Sequence, residues 1–231
     1  MRFNTKLLHG NKMGDANTGA TLTPVYQSSA FYQPSAEQHE KLFHNKATGF
    51  SYTRINNPTI FAFEERMTTL EGGLASVACA SGMAAITNAL LNIVTCGQEI
   101  VASTSLYGGS IDVFHDFEAF GIKTVFVDIS DVNAVEAAIN ENTRVIFAET
   151  IGNPKLDVVD IEALAELAHR HELPLVMDNT VATAYLIKPI EKGADIVVNS
   201  TSKYINGNSN AISGVITESG RFKWNLSLIH I

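Results

Sequence analysis

The chain has 231 residues, of which 45% are hydrophobic and 17% are charged, a composition typical of a soluble globular protein. Its formal net charge of −8 and its pI of about 5.3 argue against nucleic acid or an anionic membrane surface as the main partner. The apolar runs are too short to span a bilayer, and the N-terminal segment lacks the apolar stretch of a signal peptide, so we expect a cytoplasmic protein.

The first part of the chain, residues 1–58, shows no clear hydrophobic period and is rich in Thr, Ser, Asn, Gln and Gly. We predict an extended arm here, with one short helix at residues 36–43. An arm of this length is unusual inside a compact domain unless it packs on something else, such as a partner subunit. Residues 59–231 form the second predicted unit.

The pattern changes at Pro58-Thr59, which predicts a helix that runs to Leu70 and ends at Gly72-Gly73. Beyond it, short apolar runs alternate with helical stretches. The predicted strands are residues 74–80, 99–103, 123–127, 144–149, 174–177, 195–199 and 214–217. The predicted helices lie near residues 82–95, 109–120, 131–140, 160–171 and 186–192, with Asp131 and Asp160 as N-caps. This alternation predicts an α/β domain whose mainly parallel, seven-stranded sheet carries helices on both faces.

Polar and small residues follow the predicted strands, at the edge where parallel sheets bind ligands. Ser81-Gly82 stands between a strand and a long helix. The free N–H groups at such a helix start bind anions such as phosphate, although Ser-Gly there is also a common cap. Asp178 follows a buried strand, so its carboxylate needs a structural hydrogen bond or a cationic partner, for which a pyridinium nitrogen is the functional option.

Lys203 follows another apolar strand at the same edge, beside hydroxyl side chains that suit a phosphate group. Most lysines are solvated surface charges, but the gap between Asp178 and Lys203 has room for one helix and one strand. The two residues are therefore expected on neighbouring strands. We expect Lys203 to be a partly desolvated amine, which suits the formation of a Schiff base.

The remaining candidate groups favour structural interpretations. Cys79 and Cys96 fit buried free thiols, and their spacing matches no metal or redox motif. His169 and His171 stand at the end of a predicted helix, where we expect surface residues that interact with the helix dipole. We therefore expect no metal site.

Together these residues resemble the Cys/Met-metabolism branch of the fold-type I enzymes that depend on pyridoxal 5'-phosphate (PLP). The resemblance follows the family's order along nearly the whole chain. It implies that residues 1–58 make dimer contacts and that residues 59–231 are the PLP-binding large domain. The motifs that carry it are Thr23-Pro-Val-Tyr-Gln-Ser, Tyr52-Thr-Arg54, Asn57-Pro-Thr, Leu70-Glu-Gly-Gly, Ala80-Ser-Gly-Met, Leu106-Tyr-Gly-Gly, Glu149-Thr-Ile-Gly-Asn-Pro, Asp178-Asn-Thr and Ser200-Thr-Ser-Lys-Tyr.

The resemblance also implies roles for single residues. Lys203 resembles the Schiff-base lysine and Asp178 the partner of the pyridine nitrogen. Tyr107 resembles the tyrosine that stacks on the ring and assists proton transfer at the γ-position, and Asn153 the residue near the 3'-oxygen. The residues implied around the phosphate are Gly82 and Met83 through backbone N–H groups, Ser200 and Ser202 through hydroxyls, Tyr52 and Arg54 from a neighbouring subunit, and, completing the cofactor-binding set, Ser81 and Thr180.

Two details of the resemblance, residues 41–59 and Gly109, bear on the activity that it implies. The stretch of residues 41–59 resembles the sulfhydrylase branch most, and Gly109 stands where methionine γ-lyases have a cysteine. This implies γ-replacement on an O-acyl-homoserine, with sulfide or a thiol entering, in a homodimer or homotetramer whose active site is shared between subunits.

Several alternatives remain open at this point. They are a methionine γ-lyase or a cystathionine synthase or lyase, a non-catalytic fragment that retains only the cofactor domain, and an α/β protein with another anionic cofactor. Family members continue into a small C-terminal domain that binds the substrate carboxylate. We therefore expect a chain truncated at its C-terminal end.

Overall fold

The computed structural model describes residues 1–10, 14–15 and 18–224. Its centre is a seven-stranded sheet with the order β1-β7-β6-β5-β4-β2-β3. Neighbouring strands are parallel except at β7, which runs antiparallel to both β1 and β6. The mainly parallel sheet predicted from the sequence is confirmed. The strands are β1 (Ala75–Cys79), β2 (Glu99–Ser103), β3 (Lys123–Val127), β4 (Thr143–Glu149), β5 (Leu175–Asp178), β6 (Ile196–Asn199) and β7 (Gly214–Glu218).

Helices connect the strands, and their starts carry the expected caps. Asp131 accepts hydrogen bonds from the N–H groups of Asn133 and Ala134, and Asp160 accepts one from Ala163. Two 3-10 segments, Phe117–Phe120 and Pro189–Lys192, complete the connections. The helices are α1 (Phe3–His9), α2 (Ala36–Phe43), α3 (Pro58–Glu71), α4 (Gly82–Leu91), α5 (Gly108–Asp116), α6 (Val132–Ala138), α7 (Ile161–Arg170) and α8 (Thr183–Leu186).

Two apolar cores lie on opposite faces of the sheet. On one face, α4 and α5 pack on residues such as Ile100 and Phe147. On the other face, α7 packs on residues such as Val101 and Ile146, the sequence neighbours whose side chains point the opposite way. Because both faces are covered, the central strands are largely apolar, and the strand ends are where polar groups can be presented to a ligand.

Three local expectations were wrong. Residues 3–9 form α1, and Phe3 of this helix packs with Met67 and Leu70 of α3, so the start of the arm contacts its own domain. The single helix expected at residues 186–192 is split between α8 and a 3-10 segment, because a residue before proline avoids helical backbone angles and Lys188 is extended. Neither cysteine is buried as expected, since Cys96 is exposed and Cys79 is half-buried.

The described residues fit neither of two simple patterns, a membrane-spanning helix and a cluster of metal-binding side chains. Within residues 1–10, 14–15 and 18–224, no helix is long and apolar enough to cross a membrane. The same residues contain no group of three His, Cys, Asp or Glu side chains placed to hold a metal ion. The C-terminal end of the second predicted unit, residues 225–231, lies outside the described part.

Candidate active site

The start of α4 and the end of β6 form a close backbone contact at the carboxyl edge of the sheet. A Cβ atom on Gly82 would overlap the Cβ of Ser200 and lie 2.9 Å from its Cα, so only glycine permits this approach. The Ser81 hydroxyl oxygen accepts a hydrogen bond from the Ala84 N–H at 3.0 Å and caps the helix. The contact thus brings the Ser200 hydroxyl to the positive end of α4, an arrangement that suits a phosphate group.

A chain of hydrogen bonds joins Asp178 to the same contact. The Asp178 carboxylate accepts a bond from the Thr180 N–H at 2.8 Å, and the Thr180 hydroxyl oxygen accepts one from the Ser200 N–H at 2.7 Å. Burial raises the pKa of Asp178, while the hydrogen bonds from Thr180 lower it. A partly buried carboxylate of this kind is stabilised by a cationic partner, and a protonated ring nitrogen is such a partner.

Lys203 lies in the turn that follows β6. Its N–H donates to the Ser200 carbonyl at 3.2 Å, and its own carbonyl accepts from the Gly207 N–H at 2.9 Å. The Ser202 hydroxyl donates to the Ser213 carbonyl and accepts from the Ser213 N–H, which ties the turn to the approach to β7. The Lys203 side chain is exposed in the single chain, so the partial desolvation expected from the sequence is not seen there.

Tyr107 stands at the N-terminus of α5 and is 51% exposed. Its N–H donates to the buried carboxyl of Glu149 at 2.7 Å. A Cβ atom on Gly109 would lie 2.6 Å from Cε1 of the Tyr107 ring, so a side chain at position 109 would displace the ring. Glu149 therefore fixes the Tyr107 backbone, and the absence of a side chain at Gly109 leaves room for the Tyr107 ring.

Glu149 also interacts with Asp178 through its charge. The two residues are paired neighbours in the β4–β5 register. Burial, together with the negative charges of Asp178 and Asp157, raises the pKa of Glu149 to about 8, against the opposing effect of the Tyr107 and Asn153 N–H groups. Two adjacent carboxyls in a poorly solvated site repel each other when both are ionised, so we expect one of them to carry a proton near neutral pH.

The remaining predicted residues lie around this centre. Met83 is in α4 and packs against the core beneath it. Asn153 is exposed in the loop after β4 and precedes the cis proline Pro154. The Arg54 guanidinium lies 5.4 Å from the centroid of the Tyr52 ring, a cation–π contact between two exposed side chains of the arm.

The two histidines at the end of α7 are engaged in structural contacts. His169 Nε2 lies 2.9 Å from Asp195 Oδ2, and Asp195 is buried and also accepts the Leu175 N–H. His171 Nε2 lies 3.1 Å from Glu136 Oε1 at the surface. His169 is thus a surface residue as predicted, with the added role of partner to a buried carboxyl.

The comparison with family models decides the family. A model of the Cys/Met metabolism PLP-dependent enzymes matches residues 4–230. The chain belongs to this family. Its members depend on PLP, in agreement with the cofactor expected from the sequence motifs.

Related proteins agree with this assignment. The chain is 44% identical over 224 residues to the O-acetyl-L-homoserine sulfhydrylase of Corynebacterium glutamicum, covering 96% of this chain and 51% of that protein. It is also 44% identical over 200 residues to an L-methionine gamma-lyase of Fusobacterium nucleatum, covering 86% of this chain and 51% of that protein. The chain therefore spans about half the length of the curated relatives that it matches.

A solved structure supports the fold and the cofactor. The crystal structure of a Campylobacter jejuni protein assigned as an O-acetylhomoserine (thiol)-lyase superposes with a TM-score of 0.92 at 34% identity, covering 96% of this chain and 55% of that one. That protein carries a pyridoxyl group and a phosphate on a lysine side chain. The α/β fold of the PLP-dependent enzymes is thereby confirmed for this chain.

Two contacts of the site were not predicted from the sequence. Glu149 was noted only as part of a motif, yet its carboxyl holds the Tyr107 N–H. Thr180 was included among the cofactor residues, yet its hydroxyl links the Asp178 strand to the turn of Lys203. Glu149 was detectable as a charged residue ending an apolar strand, whereas the bond from Ser200 to Thr180 depends on the register of β5 and β6, which the sequence pattern does not give.

Proposed function

We propose that the chain binds PLP covalently through Lys203 and forms part of an enzyme that catalyses γ-replacement on an O-acyl-homoserine. The observation that carries the proposal is the junction of Gly82, Thr180 and Ser200, which joins the Asp178 strand, the Lys203 turn and the start of α4. PLP carries one group for each of these elements. Its phosphate suits the start of α4, its cationic ring nitrogen suits Asp178, and its aldehyde carbon suits the Lys203 amine.

The phosphate would be held by groups of three kinds. The unpaired N–H groups at the start of α4, with Gly82 and Met83, supply neutral donors at the positive end of a helix dipole. The hydroxyls of Ser200 and Ser202 supply further donors. Arg54 supplies a planar cation able to bind phosphate oxygens with two hydrogen bonds, and Tyr52 lies against it.

The proposed reaction assigns one task to each reacting side chain. When bound, PLP supplies a ring that accepts electrons from the substrate carbon skeleton. Asp178 would keep the ring nitrogen protonated. The Lys203 amine, once displaced by the substrate amine, would take the α-proton and pass it on to the cofactor, which leaves the amine free to take a β-proton. After sulfide or a thiol has added at the γ-carbon in place of the departed acyloxy group, the β- and α-carbons would be protonated again by the same route. The Tyr107 hydroxyl would assist departure of the γ-substituent, and its ring is exposed toward solvent where the substrate has to enter.

We also propose a homodimer or homotetramer in which the arm contributes to a neighbouring active site, and an amino acid as the substrate. The arm exposes apolar side chains that a monomer would leave in water, among them Val25 at 72% and Tyr32 at 90% exposure. Arg54 and Tyr52 lie in this same segment. Contact with a second subunit would bury these side chains and would also desolvate Lys203.

Cofactor binding is the first test. The purified chain is titrated with PLP and followed by visible absorption, beside Lys203→Ala and the control Lys123→Ala. Lys123 is an exposed lysine at the opposite edge of the sheet, where it pairs with Glu99 at 3.1 Å. We expect the wild type and Lys123→Ala to develop the absorption band of lysine-bound PLP and Lys203→Ala to lack it. A wild type with no band in excess PLP would contradict the proposal.

Product analysis then separates the candidate activities. O-acetyl-homoserine with sulfide is expected to yield homocysteine, and methionine alone is expected to yield no 2-oxo acid. Release of a 2-oxo acid and ammonia from methionine would favour the lyase alternative, which the similarity to the Fusobacterium nucleatum enzyme supports. A chain that binds PLP but turns over neither substrate would favour the non-catalytic alternative.

A further inference from the structure

Glu71 and Asn199 form a buried hydrogen-bonded pair behind the candidate site, and each of them also carries a buried acceptor atom outside that bond. Glu71 ends α3, Asn199 ends β6, and both are 0% exposed. The Asn199 side-chain N–H donates to Glu71 Oε1 at 2.9 Å. Within the described part of the chain, the other oxygen of each side chain, Glu71 Oε2 and Asn199 Oδ1, is buried without a hydrogen-bond partner. Unpartnered buried polar atoms are uncommon in folded proteins.

A single proton on Glu71 would give both unpartnered oxygens a hydrogen-bond partner. A carboxylate and an amide oxygen are both acceptors and cannot satisfy each other, whereas a carboxylic acid has one O–H donor. A proton on Glu71 Oε2 can be donated to Asn199 Oδ1 while the amide N–H continues to bind Oε1. We propose that Glu71 is a neutral carboxylic acid in the folded protein, joined to Asn199 by two hydrogen bonds, and that this pair positions the turn that carries Lys203.

The charges around the pair are compatible with a neutral Glu71. Lys188 acts on the carboxyl through its charge, but its ammonium group binds Glu191 Oε1 at 2.8 Å. The amide NH2 of Asn179 also faces the carboxyl; one of its two hydrogens goes to the Ile187 carbonyl at 3.1 Å, and the other is directed to the Glu71 carboxyl. Burial raises the pKa of Glu71 to about 7, although the Asn199 and Asn179 amides and Lys188 lower it.

The pair is connected to Lys203 through the backbone. Asn199 is followed directly by Ser200, whose N–H binds Thr180 and whose carbonyl accepts the Lys203 N–H. Fixing the Asn199 side chain against α3 therefore fixes the residue at which the lysine turn leaves the sheet. Glu71 acts through Asn199 and is a positioning residue, and this part of the inference rests on the proposed role of Lys203.

The protonation state is tested in the chain without PLP. Glu71→Gln places an N–H donor where the acid O–H would be and has no proton to lose. Unfolding by urea is measured for both proteins across the pH range. We expect the folding equilibrium constant of the wild type to fall relative to Glu71→Gln by about tenfold per pH unit between the ordinary pKa of a glutamate and about 7. Because other titrating carboxyls are common to both proteins, the difference isolates Glu71.

Infrared spectroscopy supplies a second readout. The wild type at weakly acidic pH should show the C=O band of a buried protonated carboxyl that Glu71→Gln lacks. Parallel pH profiles of the two proteins, or a difference spectrum without that band, would overturn the neutral-acid assignment and would indicate an ionised Glu71 solvated by buried water.

The positioning role is tested by hydrogen exchange of the backbone in residues 200–207 and by PLP titration. Glu71→Gln should keep wild-type protection and affinity. Glu71→Met, which fills a similar volume without a hydrogen bond, should exchange this segment at least about tenfold faster and bind PLP at least about tenfold more weakly, because both hydrogen bonds of the pair are lost. Unchanged exchange and affinity in Glu71→Met would refute the positioning role.

Two further outcomes remain interpretable. If Glu71→Met does not fold, the wild type is compared with Glu71→Gln above the folded pKa, where only the wild type should lose protection of the turn, and equal protection would refute the role. If the wild type binds no PLP, the proposed function fails together with the link to Lys203. The neutral-acid assignment is then still decided by the infrared and unfolding measurements.

Discussion

The substitution Gly82→Ala perturbs the contact between the helix start and the lysine turn without adding charge or polarity. An added Cβ would overlap the Ser200 Cβ and lie 2.9 Å from its Cα, and a backbone atom cannot rotate away. Overpacking of this kind costs about 1–3 kcal/mol. If the whole cost fell on the arrangement that binds phosphate, PLP affinity would fall by about 5-fold to 150-fold, since about 1.4 kcal/mol corresponds to a factor of ten.

Gly108 is a matched control for this substitution. It begins α5 as Gly82 begins α4, but a Cβ atom at Gly108 would meet nothing within 4 Å in the described structure. Gly108→Ala should therefore be neutral or stabilising by about 0.4–1 kcal/mol, because alanine restricts the unfolded chain. Urea unfolding and PLP titration measure both variants. Equal unfolding midpoints and equal PLP affinities for the two variants would refute the close packing of Gly82 on Ser200.

Three other predictions follow from the site. Thr180→Val leaves the Ser200 N–H without its acceptor, so we expect the free energy of unfolding measured in urea to fall by about 1–3 kcal/mol, and Thr180→Ser to restore it. Equal stability of the two variants would show that the Thr180 hydroxyl does not support the site. Because burial raises the pKa of Glu149 to about 8, the folded state keeps a proton that the unfolded state releases, and stability should fall by about 1.4 kcal/mol per pH unit as the pH rises from 4.5 to about 8. Glu149→Gln, whose amide oxygen still accepts the Tyr107 N–H, should flatten that part of the unfolding profile, and an unchanged slope would contradict the shift. Co-refolding Arg54→Ala with Lys203→Ala should produce mixed dimers in which one of the two sites has both Arg54 and Lys203 intact. The mixture should therefore bind more PLP tightly than either variant alone. No gain in tight binding would argue against donation of Arg54 to a neighbouring subunit.

Much of the fold was predictable because its determinants are local. Strands buried on both faces read as short apolar runs, and the helices between them carry caps such as Asp131 and Asp160 that the structure bears out. One error was itself local, since Pro189 ends α8 early, and another lies where a tertiary contact prevails over the local pattern. Helix α1 has no strong period, and its residue Phe3 packs against α3 and stacks edge-on against Tyr185 at 5.3 Å.

The part of the site that lies at the ends of strands was predictable from the sequence. Asp178 and Lys203 follow adjacent strands, as expected from the space between them, and a ligand edge follows from parallel pairing. The supporting contacts were not predictable, because they join residues far apart in sequence: Glu71 is 128 residues from Asn199, and Tyr107 is 42 from Glu149. A buried glutamate at a helix end gives no sign in the sequence of its proton or its partner.

The bond between PLP and Lys203 can be located directly. The chain is incubated with PLP, reduced with borohydride to make the linkage permanent, digested and mapped by mass spectrometry, with Lys203→Ala and Lys123→Ala treated in parallel. The account predicts that one pyridoxyl phosphate group is found on the peptide containing Lys203, in the wild type and Lys123→Ala alike, and on no peptide of Lys203→Ala. Labelling spread over several exposed lysines, or stoichiometric labelling that persists in Lys203→Ala, would contradict it.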